Sequence, residues 1–392
     1  MLTSPQSETR RHALVAALRE SGAIHAPAIA EAFLSIPREL FIDHIYERDG
    51  RGWKRREKRD PLDEWLDLIY RDDALTTAVN RHNIPLSSSS QPSLMAHMLE
   101  ALEVQPGQRV LEIGTGTGYN AALLAQIVGE SGHVASLDID ASLVERARSH
   151  LAAAGFSCVQ AMHADGRQGH AGQAPYDRII ATASSSCLPC AWYEQLAPGG
   201  RLVMPLEGSL QVGGFLVIEK EDEVVGRGMF RSTPLHFMAL HTEGEEIRPY
   251  PEMPPDFPQK PVTTLVQVKA NDPFLADVGN HAFKWYVQWA WPVEGELRIT
   301  TMQSPDGKEA LRLYDVNVHS IVHLVKNPDG SWNGHQRGDF PLWAQIYHLY
   351  HSYQDLGRPA PDAFRIHLES QRASLFVSHG DTSVYVRDLF GM

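Results

Sequence analysis

The chain has 392 residues, of which 43% are hydrophobic and 8% aromatic, and its formal net charge is −13 at pH 7. This composition predicts a globular protein and excludes a disordered one, and the acidic balance argues against general nucleic-acid binding. No apolar run approaches the roughly 20 residues needed to cross a bilayer, and the N-terminus lacks the apolar core of a signal peptide. A cytoplasmic protein without a membrane partner is therefore expected.

The first hundred residues are predicted to contain helices, a basic segment and a polar loop. Apolar residues at helical spacing predict two helices within residues 8–46. The segment 48–60 (RDGRGWKRREKRD) is interpreted either as a solvated insertion loop or as a basic arm that attracts an acidic peptide. A polar loop is predicted at 80–92, and its four serines at 87–90 precede a helix predicted at 93–102. These serines either cap that helix or offer donors to an anion.

The stretch VLEIGTGTGYN at 110–120 predicts a buried strand, a tight glycine turn and the start of a helix. Such a unit presents bare backbone N–H groups and a helix N-terminus to a ligand. A dinucleotide fingerprint, G-x-G-x-x-G, would place its third glycine at position 119, which is Tyr119. The third glycine comes one residue earlier, at Gly118. The spacing of Gly114, Gly116 and Gly118 instead resembles the first motif of S-adenosylmethionine (SAM) methyltransferases.

Strands and helices alternate from residue 110 to residue 205, which predicts a doubly wound parallel sheet with helices on both faces. In such a sheet, ligands bind at the carboxyl ends of the strands. The second strand ends at Asp138, where a carboxylate suits the ribose hydroxyls of an adenosine ligand. The third ends at Asp165 and Gly166, which can face an adenine amino group. The fourth ends at Thr182, before small residues that leave room for a substrate.

The rest of the chain predicts an antiparallel hairpin within 211–230, a Pro-rich and acidic linker at 241–261, and a compact α+β domain at 262–392. The Cys187-x-x-Cys190 pair has no second pair elsewhere, and the histidine pairs of the last domain lack further ligands, so no metal is expected. The predicted elements of that domain are strands at 264–269, 283–290, 295–301, 316–326 and 383–388 and a helix at 342–356.

Several segments together resemble the ordered motif set of protein-L-isoaspartate O-methyltransferases. They are SSSSQPSLMAHMLEAL, VLEIGTGTGYNAALLAQIVG, ADG at 164–166, APYDRIIATAS at 174–184 and QLAPGGRLVMPL at 195–206. The resemblance spans roughly residues 8–240. It implies an α/β fold, that of a class I SAM-dependent methyltransferase with a Rossmann-like doubly wound sheet, here followed by a smaller C-terminal α+β domain. It also implies SAM as methyl donor and an aspartyl or isoaspartyl carboxylate of a peptide as acceptor.

The resemblance also assigns the candidate site residues. Ser90, before Gln91-Pro92, falls on the serine that holds the substrate carboxylate, with Ser89 beside it. Asp72 belongs to a Tyr-Arg-Asp run that resembles the Y-x-D before the substrate loop. The SAM site is expected to include Glu112, Gly114, Thr115, Gly116, Gly118, Tyr119, Asp138, Asp165, Gly166 and Thr182.

The chain departs from the family in two features. Its substrate loop has S-S-S-S-Q-P where the family usually has G-Q-T-I-S-Q-P, and residues 262–392 follow the linker. Both departures resemble a subgroup encoded beside ribosomally made, post-translationally modified peptides, whose members methylate one aspartate of a macrocyclised peptide and so lead to aspartimide or isoaspartate. The expected organisation is a catalytic domain at 1–240, a linker at 241–261, and a domain at 262–392 that forms the far wall of the cleft and recognises the peptide.

The lack of a catalytic triad agrees with this interpretation. A carboxylate with a pKa near ~4 is already ionised at pH 7, so it needs no general base, and positioning supplies much of the rate. Three alternatives remain: a general isoaspartyl repair enzyme with an accessory domain, a non-catalytic SAM-binding or peptide-chaperone module, and a small-molecule O-methyltransferase.

Overall fold

The computed structural model describes residues 4–50, 52–58, 62–247, 260–292, 297–304, 306–369, 372–379 and 382–391. Most of the linker predicted at 241–261 lies outside these residues, from 248 to 259. In the described part of the chain, none of the helices combines the length and apolar character that crossing a membrane requires.

The N-terminal helices are present as predicted, as α1 (Pro5–Glu20) and α2 (Pro27–Ser35). A 3-10 turn at Arg38–Phe41 follows them. The basic segment is not a loop, because β1 (His44–Asp49) and β2 (Gly52–Glu57) form an antiparallel hairpin over its described residues. Helix α3 (Leu62–Ile69) then packs against α1 and the 3-10 turn.

The polar loop predicted at 80–92 was wrong over part of its length. Strand β3 (Leu75–Val79) pairs antiparallel with β4 (Pro85–Ser89), and the serines therefore lie on an ordered strand. Serine has little intrinsic preference for strands, so this pairing depends on the neighbouring chain and not on local sequence. Helix α4 (Pro92–Leu102) begins with the proline in its first turn, as predicted.

The alternating strands and helices after residue 109 build the central sheet. Its predicted strands and helices are all present, and the predicted closing hairpin is formed by the last two strands of the group. The elements are β5 (Arg109–Ile113), α5 (Tyr119–Val128), β6 (His133–Asp138), α6 (Ala141–Ala153), β7 (Val159–His163), β8 (Tyr176–Ala181), β9 (Leu188–Pro189), α7 (Cys190–Glu194), β10 (Leu196–Glu207), β11 (Gly213–Lys220) and β12 (Val225–Arg231).

The part after residue 262 divides between two sheets. Five strands form a separate antiparallel sheet in the order β13-β17-β16-β15-β14, and three more strands extend the central sheet. The elements are β13 (Val262–Val268), α8 (Phe274–Asp277), α9 (His281–Ala290), β14 (Leu297–Gln303), β15 (Glu309–Asp315), β16 (Ser320–Lys326), β17 (Trp332–Arg337), α10 (Leu342–Asp355), β18 (Phe364–Glu369), β19 (Arg372–His379), β20 (Thr382–Asp388) and β21 (Phe390–Gly391).

The strand predicted at 283–290 was wrong, since this segment is helix α9. Its aromatic residues favour strands by intrinsic preference, but the Asn280 side chain accepts a hydrogen bond from the Ala282 N–H and caps a helix instead. Phe283, Trp285 and Trp289 are all buried in the hydrophobic core that the central sheet and the five-stranded sheet share. Burial of these large rings outweighs the small difference in propensity.

The central sheet has ten strands in the order β20-β19-β18-β12-β11-β10-β8-β5-β6-β7. Strands β10, β8, β5, β6 and β7 run parallel, and the others are antiparallel, so the sheet is mixed. The chain passes from β5 to β6 on one side, and β8 returns to the other side of β5. This reversal of strand order opens a crevice at the carboxyl ends of the parallel strands, where ligands bind in doubly wound folds.

Candidate active site

A cleft lies at the carboxyl ends of β5, β6 and β8. We call residues 114–118, the turn after β5, the glycine wall, and residues 87–90, on and after β4, the serine wall. The two walls adjoin, because a Cβ on Gly116 would lie 3.4 Å from the Ser88 carbonyl oxygen. The lining residues are 86–90, 113–117, 119–120, 137–139, 182–183 and 238–241, with Met95, Leu143 and Gly166.

Most of the predicted site residues meet in this cleft, although they come from five separate segments. Four of the predicted residues, Asp72, Glu112, Gly118 and Asp165, do not line it. Those that line it are Ser89, Ser90, Gly114, Thr115, Gly116, Tyr119, Asp138, Gly166 and Thr182.

The glycine wall requires glycine for steric reasons. Gly114 has a φ of +99°, and a Cβ there would lie 2.7 Å from Thr182 Oγ1. Thr182 uses this oxygen to donate a hydrogen bond to the Gly114 carbonyl, at 2.8 Å. Gly118 has a φ of +86° and directly precedes helix α5. A Cβ on Gly118 would lie 3.3 Å from the Ala147 Cβ. A side chain at Gly114 would therefore strain the turn and displace Thr182.

Asp138 ends β6 and faces the glycine wall. One carboxylate oxygen accepts from the Gly116 N–H at 2.9 Å, and the other accepts from the Asp140 N–H at 3.1 Å. Burial raises the pKa of Asp138 above its ordinary value. Asp140 itself caps α6 by accepting from the Ser142 N–H. Asp138 is therefore the carboxylate of this pair that is placed to meet hydroxyls of a ligand in the cleft.

Glu112 lies behind the glycine wall and is fully buried. Its oxygens accept from Asn120 Nδ2 at 2.7 Å and from the Ser136 hydroxyl. The hydroxyls of Ser136 and Thr115 also lie 2.7 Å apart, so the network reaches the turn. Burial raises the pKa of Glu112 to about 7. Glu112 thus fixes the turn and the start of α5 from beneath.

Asp165 has its carboxylate engaged outside the cleft. It accepts from the Arg167 N–H at 3.0 Å and forms an ion pair with the Arg167 side chain, which lowers its pKa. Its predicted contact with an adenine amino group stays a prediction. The neighbouring Gly166 does line the cleft, and a Cβ there would lie 2.5 Å from Ile113 Cγ2. Glycine at that position keeps the cleft open.

Successive side chains of the serine wall point to opposite faces, as in a β-strand. The Ser87 hydroxyl lies 3.2 Å from Thr77 Oγ1, and Ser89 Oγ accepts from Arg38 Nε at 3.2 Å; both serines are buried. The hydroxyls of Ser88 and Ser90 have no hydrogen-bond partner among the described residues, and both serines line the cleft. Ser88 and Ser90 therefore carry the hydroxyls that a bound carboxylate can use.

Arg38 holds the serine wall in place, and sequence reasoning missed it. Its buried guanidinium donates to Ser89 Oγ and to the carbonyl oxygens of Ile69, Arg71, Asp73, Ser89 and Ser90. Burial lowers its pKa to about 10. A lone arginine after Ile36-Pro37 offered no spacing signal, because its partners are distant in sequence.

The Tyr-Arg-Asp run stabilises the start of α4. Asp72 is exposed and accepts from the Ser93 N–H at 2.8 Å and from Gln91 Nε2 at 3.3 Å. Its predicted catalytic role stays a prediction. The Tyr70 hydroxyl donates to buried Glu39, and burial raises the pKa of Tyr70. Asp72 therefore fixes the residues that follow Ser90.

The remaining wall is a segment that sequence analysis did not identify. Residues 238–241 line the cleft opposite the serines, and the Ser184 N–H donates to the Met238 carbonyl at 2.8 Å. The expectation that residues 262–392 form the far wall was wrong for the described residues, because none of those lining the cleft lies beyond His241. The chain between β12 and the linker occupies that position instead.

The cleft fits SAM by its chemistry. The glycine wall leaves room for backbone contact, and Asp138 offers a carboxylate where ribose hydroxyls are bound in this class of sheet. Gly114, Thr115, Gly116 and Tyr119 would surround the methionine part of the donor, while Ser88 and Ser90 would face the acceptor.

Comparisons with known proteins agree with this geometry. The model of the family protein-L-isoaspartate(D-aspartate) O-methyltransferase (PCMT) matches residues 9–230. The protein-L-isoaspartate O-methyltransferase of Ignicoccus hospitalis is 35% identical over 200 residues, which cover 51% of this chain and 83% of that protein. The protein of the same name from Thermotoga maritima is 36% identical over 200 residues, covering 50% of this chain and 57% of that protein.

A solved structure of a protein-L-isoaspartate O-methyltransferase aligns with 92% of this chain and 96% of its own, with a TM-score of 0.52 and 24% sequence identity. This likeness in fold extends into the part after residue 262. The predicted class I SAM-dependent methyltransferase fold is confirmed, with a mixed central sheet and an additional C-terminal sheet. The chain belongs to the protein-L-isoaspartate(D-aspartate) O-methyltransferase family and is a SAM-dependent methyltransferase.

Proposed function

We propose that this protein methylates the side-chain carboxylate of an aspartyl or isoaspartyl residue in a peptide, and that it does so in the cytoplasm. The observation that carries the proposal is the pair of unpartnered hydroxyls, on Ser88 and Ser90, beside the glycine wall. Hydroxyls that donate to a carboxylate hold it without neutralising it, so it remains a nucleophile. Family membership supports the same reaction.

The residues of the cleft act by positioning. Bound SAM supplies an activated methyl group, which passes to a carboxylate oxygen as the bond from methyl carbon to sulfur breaks. Ser90 and Ser88 would hold the carboxylate, and Arg38 would keep both serines at a fixed distance from the glycine wall. No proton has to leave the acceptor, because a carboxylate is ionised at pH 7. Orientation of this kind can lower a barrier by several kcal/mol.

The direct test uses a synthetic isoaspartyl hexapeptide and intact-mass detection of one added methyl group. We expect Ser90→Ala to lower kcat/KM by about tenfold to a hundredfold, as loss of a hydrogen bond to a charged group does. Thr76→Ala is a matched control, because Thr76 lies on β3 outside the lining of the cleft. An unchanged rate in Ser90→Ala would contradict the assigned role of the serine.

We further propose that the natural acceptor is a macrocyclised ribosomal peptide, in which the methyl ester leads to aspartimide and then isoaspartate. Support comes from the serine-rich loop, which differs from the usual G-Q-T-I-S-Q-P. Two aspartyl peptides of one sequence, linear and lactam-bridged, would test this. Faster methylation of the bridged form, followed by loss of methanol, is expected. Equal rates on both forms would contradict it.

The role proposed for residues 262–392 is recognition of the peptide through the loop after β8. The Leu188 N–H donates to the Leu389 carbonyl at 2.9 Å, so the last strand reaches that loop. Deleting all of 262–392 would remove β18 to β20 from the central sheet. A truncation after Leu389 is the gentler test, because it keeps the buried Leu389 side chain and removes only the short last strand: we expect it to reduce the preference for bridged over linear peptide while the melting temperature changes little.

General isoaspartyl repair is the second candidate, and one observation favours it. The solved protein-L-isoaspartate O-methyltransferase covers 92% of this chain, so its fold also contains most of the extra C-terminal part. Such a C-terminal part therefore does not by itself indicate peptide maturation. Efficient methylation of a linear isoaspartyl hexapeptide, with none on the aspartyl peptides, would favour repair.

A further inference from the structure

The β1–β2 hairpin presents one face that is rich in arginine and aromatic rings. Its register pairs Tyr46 with Arg55 and Arg48 with Trp53, and strand alternation places these four residues on the same face. Arg48 and Arg55 are exposed, and the Arg48 guanidinium lies 4.1 Å from the centre of the Trp53 ring. On the opposite face of the hairpin, Arg56 forms an ion pair with Glu47.

This face adjoins the hairpin that carries the serine wall. Trp53 Nε1 donates to the Asn83 carbonyl, in the turn between β3 and β4, at 2.9 Å. At the other end of the hairpin, His44 and Thr77 of β3 line the same depression. The two hairpins therefore lie side by side, and β1 packs along β3.

A small depression lies between the base of the hairpin and the glycine wall. Its lining includes His44, Thr77 and Arg146, together with Gly116 and Thr117, which also line the main cleft. The depression and the cleft therefore share part of the glycine wall.

Three arginines border the face and the depression: Arg48 and Arg55 on the hairpin, and Arg146 in the lining of the depression. Burial lowers the pKa of His44, and the charges of Arg55 and Arg146 lower it further. The acidic groups nearby include Asp43, which also lines the depression and lies 3.0 Å from His150, Glu57, which is 3.6 Å from Arg55 at the exposed edge, and Asp140, on which the charge of Arg146 acts. We name Arg48, Arg55 and Arg146 the basic patch.

We infer that the basic patch binds carboxylates of the residues that flank the methylated residue, so that the enzyme selects acidic peptides. The inference rests on the proposed function, because it takes the main cleft to be the acceptor site. The protein as a whole carries a net charge of −13 and would repel an acidic peptide. Exposed arginines on the hairpin that adjoins the β3–β4 hairpin give such a peptide one favourable approach and one orientation.

The test uses three isoaspartyl hexapeptides that differ only in their flanking residues, which are Glu, Gln or Lys. For the unaltered enzyme we expect kcat/KM to be about tenfold higher with Glu than with Lys flanks, as charge complementarity commonly gives. In about 1 M NaCl, where the Debye length is roughly 3 Å, the preference should largely disappear. A variant carrying Arg55→Glu and Arg146→Glu should prefer the Lys peptide.

A matched control carries Arg19→Glu and Lys269→Glu. Both residues are exposed and lie outside the cleft and the depression, and the change in net charge is the same. It should keep the preference for Glu flanks, and Arg55→Gln alone should reduce that preference about threefold. Two results would overturn the inference: equal rates with Glu and Lys flanks in the unaltered enzyme, or a preference for Glu flanks that survives in the Arg55→Glu, Arg146→Glu variant. In either case, methylation of the Gln peptide would still uphold the proposed function. No methylation of any of the three would refute both.

Discussion

The two walls of the cleft are held in place in different ways. The glycine wall is fixed by its own backbone and by Glu112, which lies beneath it. The serine wall is fixed from behind by Arg38, whose acceptors come from two separate stretches of chain, 69–73 and 89–90. The glycine wall therefore depends first on the conformation of its own glycines, with Asp138 and Thr182 bonded to it from two other strand ends, whereas the serine wall depends on a distant guanidinium.

Because of this difference, the two walls should respond differently to sequence changes around them. A local turn keeps its geometry when its surroundings change, because steric limits on φ and ψ act within a few residues. A strand held by a distant guanidinium can be shifted or re-sequenced while the turn stays intact. We therefore expect changes behind the serine wall to affect acceptor binding first, and changes in the glycine wall to affect SAM binding first.

The largest effect is expected from Arg38→Met. It leaves six acceptors without their donor, and the free energy of unfolding should fall by about 3–5 kcal/mol. Urea denaturation measures this loss. Arg38→Lys keeps the charge but lacks the planar fork, so it should recover only part of the stability. A loss below about 1 kcal/mol in Arg38→Met would show that the serine wall is held by something else.

Glu112→Gln tests the support beneath the glycine wall through pH. The pKa of Glu112 is raised from its ordinary value of 4.5 to about 7, so the fold favours the neutral carboxyl. Its contribution to stability is full below pH 4.5 and is lost as the pH rises to about 7, which amounts to roughly 3 kcal/mol. The variant stays neutral, so the difference in unfolding free energy between variant and unaltered protein should shift in favour of the variant by that amount between pH 4 and pH 8. A constant difference across that range would contradict burial of an ionisable group.

Gly114→Ala tests the local character of the glycine wall. The positive φ and the contact with Thr182 Oγ1 should together lower the unfolding free energy by about 2 kcal/mol and weaken the binding of SAM. Gly129→Ala is the matched control: Gly129 has a φ of +68° with no other heavy atom within 4 Å of the new Cβ. It should cost about 1–3 kcal/mol of strain, because Gly129 combines its positive φ with a ψ of −171°, and leave SAM affinity unchanged. Thermal unfolding and calorimetric titration with S-adenosylhomocysteine would distinguish the two.

Asp138→Asn should have the smallest effect on stability. The amide oxygen can still accept from Gly116, but the charged acceptor for ribose hydroxyls is lost, so affinity for S-adenosylhomocysteine should fall about tenfold. Asp140→Asn is the control, since Asp140 caps α6 and does not line the cleft. An equal loss of affinity in both variants would indicate a general disturbance of β6 and not a direct contact.

The central sheet and much of the lining of the cleft could be predicted because their signals are local. Hydrophobic runs, glycine spacing and acids at strand ends each occupy a few consecutive residues. Three elements were missed or misassigned because contacts with other parts of the chain decide their conformation: the strand at 85–89, the hairpin at 44–57 and helix α9. Asp165 was chosen by position at a strand end, yet Arg167, only two residues away, takes up its carboxylate. Position along a strand does not tell which partner a side chain finds.

The sequence by itself determined the family, the glycine turn and the carboxylate at Asp138, because these depend on backbone sterics and short spacings. Only the tertiary structure decided which serine hydroxyls are available, that Arg38 holds them, and that residues 238–241 close the cleft. It also decided that strands near the C-terminus extend the central sheet. The physical reason is that hydrogen-bond partners and burial depend on residues far apart in the chain, whereas sequence patterns report only on residues a few positions apart.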